Sequence, residues 1–375
     1  MTTVILSTSD RLLFKRCRRK WDWQSTQRQN LIPVAEAASS PLWYGSGFHF
    51  ALEDFHGHKR YPSAFDAFTA YSKAFRPHEL PADSEDLMVL AEGMLAHYTM
   101  SWLRRRDEYQ TLWVDGEPQV EVSVDLDITN LVVQRAWQRD MAWVTDPLDD
   151  ADGKIVYRVT FDRVCVDSEG RLYIMDYKTA AKFDSAKLET DSQVTAYTWA
   201  GRYFYGDRYE VEGIIWMTFK KAFPDVPKEL VRGGFSENRQ ASVSYDTFAG
   251  ALLTKYGAIP TSYVPYMNHL AMQEGADGDK FIKRDIMRRN VAFTQNEEWK
   301  IADEVLDMLN PQLSLYPNPT RDCSWDCSFR VPCLMKDDGS EWEEYMAGEY
   351  VSWVGYNDSW RQRIVYPETV ARSSP

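Results

Sequence analysis

From Val120 to Ile128 apolar and polar residues alternate without a break: Val120, Val122, Val124, Leu126 and Ile128 against Glu121, Ser123, Asp125 and Asp127. Period two predicts a half-buried strand. A β-rich run follows from Ile155 to Val166, then the turn Asp167-Ser-Glu-Gly170, then a second strand from Leu172 to Thr179, which together predict a hairpin. Lys187 to Tyr205 reads as a helix and Val211 to Phe219 as another strand. Near the start, Ser7 with Asp10 can cap a helix whose Leu13, Cys17 and Trp21 share one face. A second helix contains Gly47 to His56, and helical patterns continue to about Tyr109. Residues 130–153 lose the period and hold Asp146, Pro147, Asp149, Asp150 and Asp152, so a polar loop is expected there. Residues 222–240 form a second loop, and Ser244 to Tyr256 is helical. Thr294 with Glu297 predicts a capping box for a helix that Pro311 ends. Strands, a helix, a strand again and helices on both sides indicate a mixed α/β domain.

Composition narrows the class only a little. A chain of 375 residues with 44% hydrophobic and 26% charged residues can bury a proper core. The longest apolar runs fall short of the roughly 20 residues of a membrane span. The first residues lack the charged and apolar regions of a secretory signal, and five cysteines do not make a secreted disulfide scaffold, so a cytoplasmic protein is expected, in a bacterium or a phage-infected host. The net charge of −13 opposes broad nucleic-acid binding. Local fields matter more than the sum, and two basic clusters stand out. One is Arg11, Lys15, Arg16, Arg18, Arg19 and Lys20; the other is Lys280, Lys283, Arg284, Arg288 and Arg289.

The hairpin carries the chemistry. Asp162 lies in its first strand; Asp176 and Lys178, two apart, emerge on one face of its second. Carboxylates so placed can hold Mg²⁺ or Mn²⁺ through oxygen ligands. Such an ion polarises a phosphoryl oxygen and helps generate hydroxide, while a lysine beside it orients water and offsets developing charge. Two carboxylates in a crevice would raise each other's pKa, a reason to expect a cation. Gln193 and Tyr197, i and i+4 on the following helix, share a face. His49 follows a glycine pair, Gly45 and Gly47, that lets another backbone come close.

These residues, as Gly45-x-x-x-His49, Phe161-Asp162-Arg163, Asp176-Tyr177-Lys178-Thr179 and Gln193-x-x-x-Tyr197, resemble the RecB-type, CRISPR-adaptation-like exonuclease branch of the PD-(D/E)XK nuclease superfamily. The resemblance implies a restriction-endonuclease-like core, a mixed central sheet flanked by helices, with helical N- and C-terminal additions. It implies His49, Asp162 and Asp176 as metal ligands, Lys178 as catalytic, and Gln193 and Tyr197 closing the site. Glu121 is a weaker candidate for the outer shell.

Cys323, Cys327 and Cys333 form a tight set that needs a fourth ligand, for which Cys17 is the candidate. Four thiolates suit a [4Fe–4S] cluster or zinc, and the resemblance favours iron–sulfur. Such a cluster would clasp segments roughly 300 residues apart, against a loop-closure cost of about 5 kcal/mol. Cys165 reads as core.

The expected organisation is an N-terminal helix with a cluster cysteine (1–30), a nuclease core (30–220), and a C-terminal region with helices, cysteine cluster and aromatic tail (221–375). The expected activity is metal-dependent hydrolysis of DNA, single-stranded or at duplex ends, with the basic clusters tracking phosphates. The rival is a non-catalytic DNA-binding or assembly module organised by the cysteine-bound metal. Trp342, Tyr345, Tyr350, Trp353 and Trp360 in the tail could pack on the core or bind a protein partner.

Overall fold

The computed structural model describes residues 3–34, 40–105, 108–145, 153–275, 280–324, 327–352 and 359–367. Its main sheet has seven strands: β1 (Thr3–Ser7), β2 (Gln110–Thr111), β3 (Val120–Asp127), β4 (Lys154–Val166), β5 (Leu172–Ala180), β6 (Val211–Lys220) and β7 (Ile282–Met287). The path runs β1-β4-β5-β6-β7, with β2 and β3 also pairing with β4. Pairing is parallel for β1–β4 and β5–β6 and antiparallel elsewhere. The expected mixed sheet and the β4–β5 hairpin are both present.

Both faces of the sheet are buried. This is why β5 reads as a nearly continuous apolar run rather than an alternation. Leu172 and Ile174 join the core under α7 (Ser192–Tyr205) and a later long helix, Val291–Leu309. Tyr173, Met175 and Tyr177 join the core under α3 (Ser40–His56), α4 (Ala64–Lys73) and α5 (Ser84–Arg105). Gly47 is where α3 meets α4 closely: a Cβ there would stand 2.6 Å from the Tyr71 ring. The approach is by side chains, not by the backbone expected from the glycine pair, and nothing lies within 4 Å of a Cβ at Gly45.

Several expectations change. The N-terminal helix is two helices, α1 (Thr8–Arg16) and α2 (Arg18–Gln24), because Cys17 is extended at φ −164°, ψ 114° and caps the second. The Ser7–Asp10 capping box is present. Residues 129–138 are not loop but helix α6, whose Val132 and Ala136 are buried one turn apart; the acidic part, residues 146–152, lies outside the described residues. The helix expected from Lys187 starts at Ser192, after a short 3₁₀ turn, with Asp191 as its cap. The helix expected at Thr294 opens earlier, capped by Asn290, and is α8 in a core-facing role (Val291–Leu309). Glu297 is committed elsewhere: it is 1% exposed and pairs with Arg11 at 2.8 Å. A small helical cluster around Phe248, Leu252, Tyr266 and Leu270 packs separately.

The basic clusters also dissolve on folding. Arg11 is buried against Glu297 and Glu304, and Arg19 pairs with Asp337 at 2.7 Å. In the second cluster Arg284 pairs with Glu108, Arg288 with Glu212, Lys283 with Asp285, and Arg289 donates to the carbonyls of Leu188 and Glu189. Neither run is a solvated basic face, because its members serve the packing of β1, α1, α2 and β7.

The aromatic tail packs on the chain itself. Trp342 stacks on Trp23 with ring centroids 5.7 Å apart, Tyr350 stacks on Phe329, and Trp360 stands edge-on to Tyr71. Trp353 lies outside the described residues.

Candidate active site

β4 has 13 residues, and two strands share one of its edges. β1 pairs with residues 154–158 and β5 with residues 163–166, so the ladders on that side leave out 159–162. Past Arg163 and Met175 the hairpin strands fork, while β5 continues against β6 as far as Ala180. Asp162 sits at the fork. Its Oδ2 accepts the Tyr177 backbone N–H at 2.6 Å, taking the place of a strand partner.

On the other edge of β4, Glu121 has φ +46° within β3, and the ladder skips from the Val120–Arg163 pair to the Val122–Phe161 pair. A non-glycine residue in this left-handed region costs about 1–2 kcal/mol. The turn swings the Glu121 carboxylate toward Asp162. His49, on α3, completes the group: its Nδ1 lies 3.5 Å from Asp162 Oδ1 and 3.7 Å from Glu121 Oε1. These three residues offer donor atoms all within 4.8 Å of one another, a spacing suited to a metal ion.

Asp176 stands beside this trio rather than within it. It is 1% exposed, on the α7 face of β5. Gln193 Nε2 donates to its Oδ1 at 3.2 Å. Lys178 Nζ is 2.7 Å from its Oδ2, which makes no aligned hydrogen bond and so keeps a lone pair free for a cation. Lys178 also lies over the Trp216 ring, 4.8 Å from its centroid. Tyr197 is buried edge-on against Phe161, 5.5 Å between centroids. The structure therefore brings together His49, Asp162, Asp176, Lys178, Gln193 and Tyr197, and raises Glu121 from outer candidate to immediate neighbour.

Charge follows the same geometry. Burial alone would lower the His49 pKa, but Asp162 and Glu121 overcome it and push the imidazole up to about 10. Burial pushes Asp176 up to about 6, Asp162 adds to this, and Lys178 opposes it. Asp162 is held below the usual carboxylate range: burial opposes this, but His49, Lys178 and the Tyr177 N–H outweigh it. Lys178 is held above its ordinary value by Asp176 and Asp162, against burial. An excess of buried carboxylate is thus balanced by protons, the state a divalent cation would replace.

Sequence reading passed over Glu53. One turn after His49 on α3, it is largely buried; burial and Glu121 raise its pKa against Arg361 and Arg60. The i, i+4 spacing from His49 was the signal that could have found it.

All five cysteines are free. Cys17 Sγ accepts from the backbone N–H of Lys20 and of Asn318, each at 3.5 Å, and Cys323 Sγ from that of Thr320 at 3.4 Å. Arg19 donates to Cys333 Sγ at 3.3 Å. Cys327 and Cys333 flank the aromatic cluster of Trp23, Phe329 and Tyr350. Cys165 is buried in the core of the α3–α5 face, as expected.

No curated protein matches the chain. A family model described as the PD-(D/E)XK nuclease superfamily matches residues 5–333, from β1 to the last of the clustered cysteines. With a forked hairpin carrying Asp162, Asp176 and Lys178 and a match over most of its length, the chain belongs to the PD-(D/E)XK nuclease superfamily, whose members are metal-dependent nucleases.

Proposed function

We propose that this protein hydrolyses DNA phosphodiesters at the β4–β5 fork, acting from strand ends in the manner of the RecB-type branch. The observation that carries the reading is the donor trio of His49, Glu121 and Asp162 beside the Asp176–Lys178 pair. The donor set is oxygen-rich with one imidazole, which fits Mg²⁺ and, with the nitrogen, Mn²⁺. When bound there, the ion supplies Lewis acidity and a lowered pKa for water. Asp162 and Glu121 would hold it, His49 would join as the neutral imidazole, and Asp176 would add its free Oδ2. Lys178, freed from part of its pairing with Asp176, is placed to orient a water and offset charge on the phosphate. Gln193 fixes the Asp176 carboxylate, and Tyr197 seals the base of the site. A net charge of −13 discourages coating of a duplex and favours a confined channel, which supports action at ends.

Cys17, Cys323, Cys327 and Cys333 are proposed to hold a [4Fe–4S] cluster, with zinc as the alternative. N–H donors on three of the four sulfurs support thiolate character, since hydrogen bonds to sulfur stabilise the ligand charge.

The test is incubation of anaerobically purified protein with end-labelled linear and closed circular DNA, with Mn²⁺ or EDTA. Expected is Mn²⁺-dependent loss of linear DNA alone, absent in Lys178→Ala. Folded, metal-loaded protein that leaves every substrate intact would instead indicate a binding or assembly module.

A further inference from the structure

A second charged cavity lies across the sheet from Asp176. Arg163 follows Asp162 in β4, so its side chain points to the opposite face, under α5. The guanidinium is 1% exposed. Nε donates to Thr111 Oγ1 at 3.0 Å and one Nη to the Tyr109 carbonyl at 2.9 Å, while the other Nη faces Met175 Sδ at 3.9 Å. All three acceptors are neutral, and among the described residues Arg163 has no carboxylate partner. A buried charge without a counterion is costly.

Beside it is a cavity of about 40 Å³, lined among others by Ser101 and Arg105 of α5, Glu108, Tyr109, Arg163 and Arg284 of β7. At the ~10–15 Å³ a single water requires, this admits about three waters. That is also roughly the room needed by one tetrahedral oxyanion. Glu108 is bonded to both Arg105 and Arg284. Three guanidinium groups therefore face one carboxylate, leaving an excess of two positive charges among the described lining residues. Arg105, Glu108 and Tyr109 are only half-buried, so the cavity opens to the surface where α5 ends.

We propose that this cavity binds a phosphate dianion, which matches the site in charge, size and the fork geometry of guanidinium groups. The dianion could be inorganic phosphate or the phosphate of a mononucleotide. The site is independent of the nuclease centre and does not rest on the function proposed for it.

The experiment is calorimetric titration of the full chain in EDTA, at constant ionic strength, with inorganic phosphate and separately with thymidine 5′-monophosphate. EDTA removes metal-bridged binding at the fork. The expected result is saturable binding of phosphate that weakens about tenfold or more in Arg105→Gln, which removes a half-exposed donor. It should weaken equally in Ser101→Leu, which fills the cavity and keeps every charge. Lys178→Ala should bind as the wild type does, and circular dichroism of each variant should match it. Tighter binding of the mononucleotide supports the site with a nucleotide as the source; tighter binding of inorganic phosphate supports it with the free ion. No binding by the wild type, equal binding by both cavity variants, or loss in Lys178→Ala would overturn the proposal.

Discussion

At the scale of single residues, the fork turns four ordinary side chains into a site whose protonation is coupled to metal. His49 in the metal-free protein is held up to about 10, against about 6.5 for an unperturbed imidazole. Its contribution to stability is therefore fully present below pH 6.5 and is lost as pH rises through 10. A metal ion needs the neutral ring, so binding Mn²⁺ at pH 8 should expel about one proton per chain. Titration calorimetry in two buffers of different ionisation enthalpy reads this directly, and a wild type that releases none has no imidazole ligand. Glu121→Gln should weaken Mn²⁺ binding at least as much as the ~10–100-fold that loss of an outer partner costs. Lys178→Ala should keep Mn²⁺ affinity within a few fold while cutting turnover by about 10²–10³, the cost of one transition-state donor. Loss of Mn²⁺ affinity in Lys178→Ala equal to that in Glu121→Gln would remove the distinction between ligand and orienting group.

At the scale of elements, long-range ion pairs do what local patterns do not announce. Arg11 on α1 and Glu297, some 290 residues later on the helix Val291–Leu309, are 2% and 1% exposed and 2.8 Å apart. Removing one partner of such a pair leaves a buried charge, so Arg11→Met should destabilise the fold by about 3–5 kcal/mol. Urea denaturation measures this, and adding Glu297→Gln should recover a good part of the loss; an additive double variant would mean the pair is not coupled. This explains what was legible. β3, the hairpin and the strand Val211–Lys220 could be read because period and turn chemistry are local. α6 was missed because Asp and Pro residues nearby masked the short repeat of Val132 and Ala136. The break at Cys17 was invisible because its extended backbone keeps the apolar spacing of Leu13 and Trp21 unchanged. The basic runs misled for a related reason: sequence shows the cations of α1 and β7 but not the carboxylates that fold against them. The left-handed turn at Glu121 belongs to the same class, since no residue type favouring φ > 0 marks it.

At the scale of the whole molecule, the two ends of the chain close on each other beside the sheet. Residues Leu31–Pro33 pair with Tyr350–Ser352, the Arg19 backbone N–H donates to the Tyr316 carbonyl, and Arg19 reaches both Cys333 and Asp337. Trp23 is 1% exposed, between Phe329 and Trp342. This satellite core has only four fully buried apolar members, so it is a weak clamp for a loop whose closure costs about 5 kcal/mol. The hairpin, by contrast, is held between two large cores that do not depend on the clasp. If the four cysteines share a cluster, Cys327→Ser should therefore loosen the ends first. Limited proteolysis should cut the variant between about residues 310 and 350 and near α2, while a fragment carrying β3 to β6 survives. Mn²⁺ affinity at the fork should be unchanged, because His49, Glu121 and Asp162 touch neither end. Equal resistance of variant and wild type at both ends would show that packing of Trp23, Phe329 and Trp342 suffices and that the cysteines do not clasp the fold. Loss of Mn²⁺ binding together with the ends would show that the fork and the satellite core unfold as one unit.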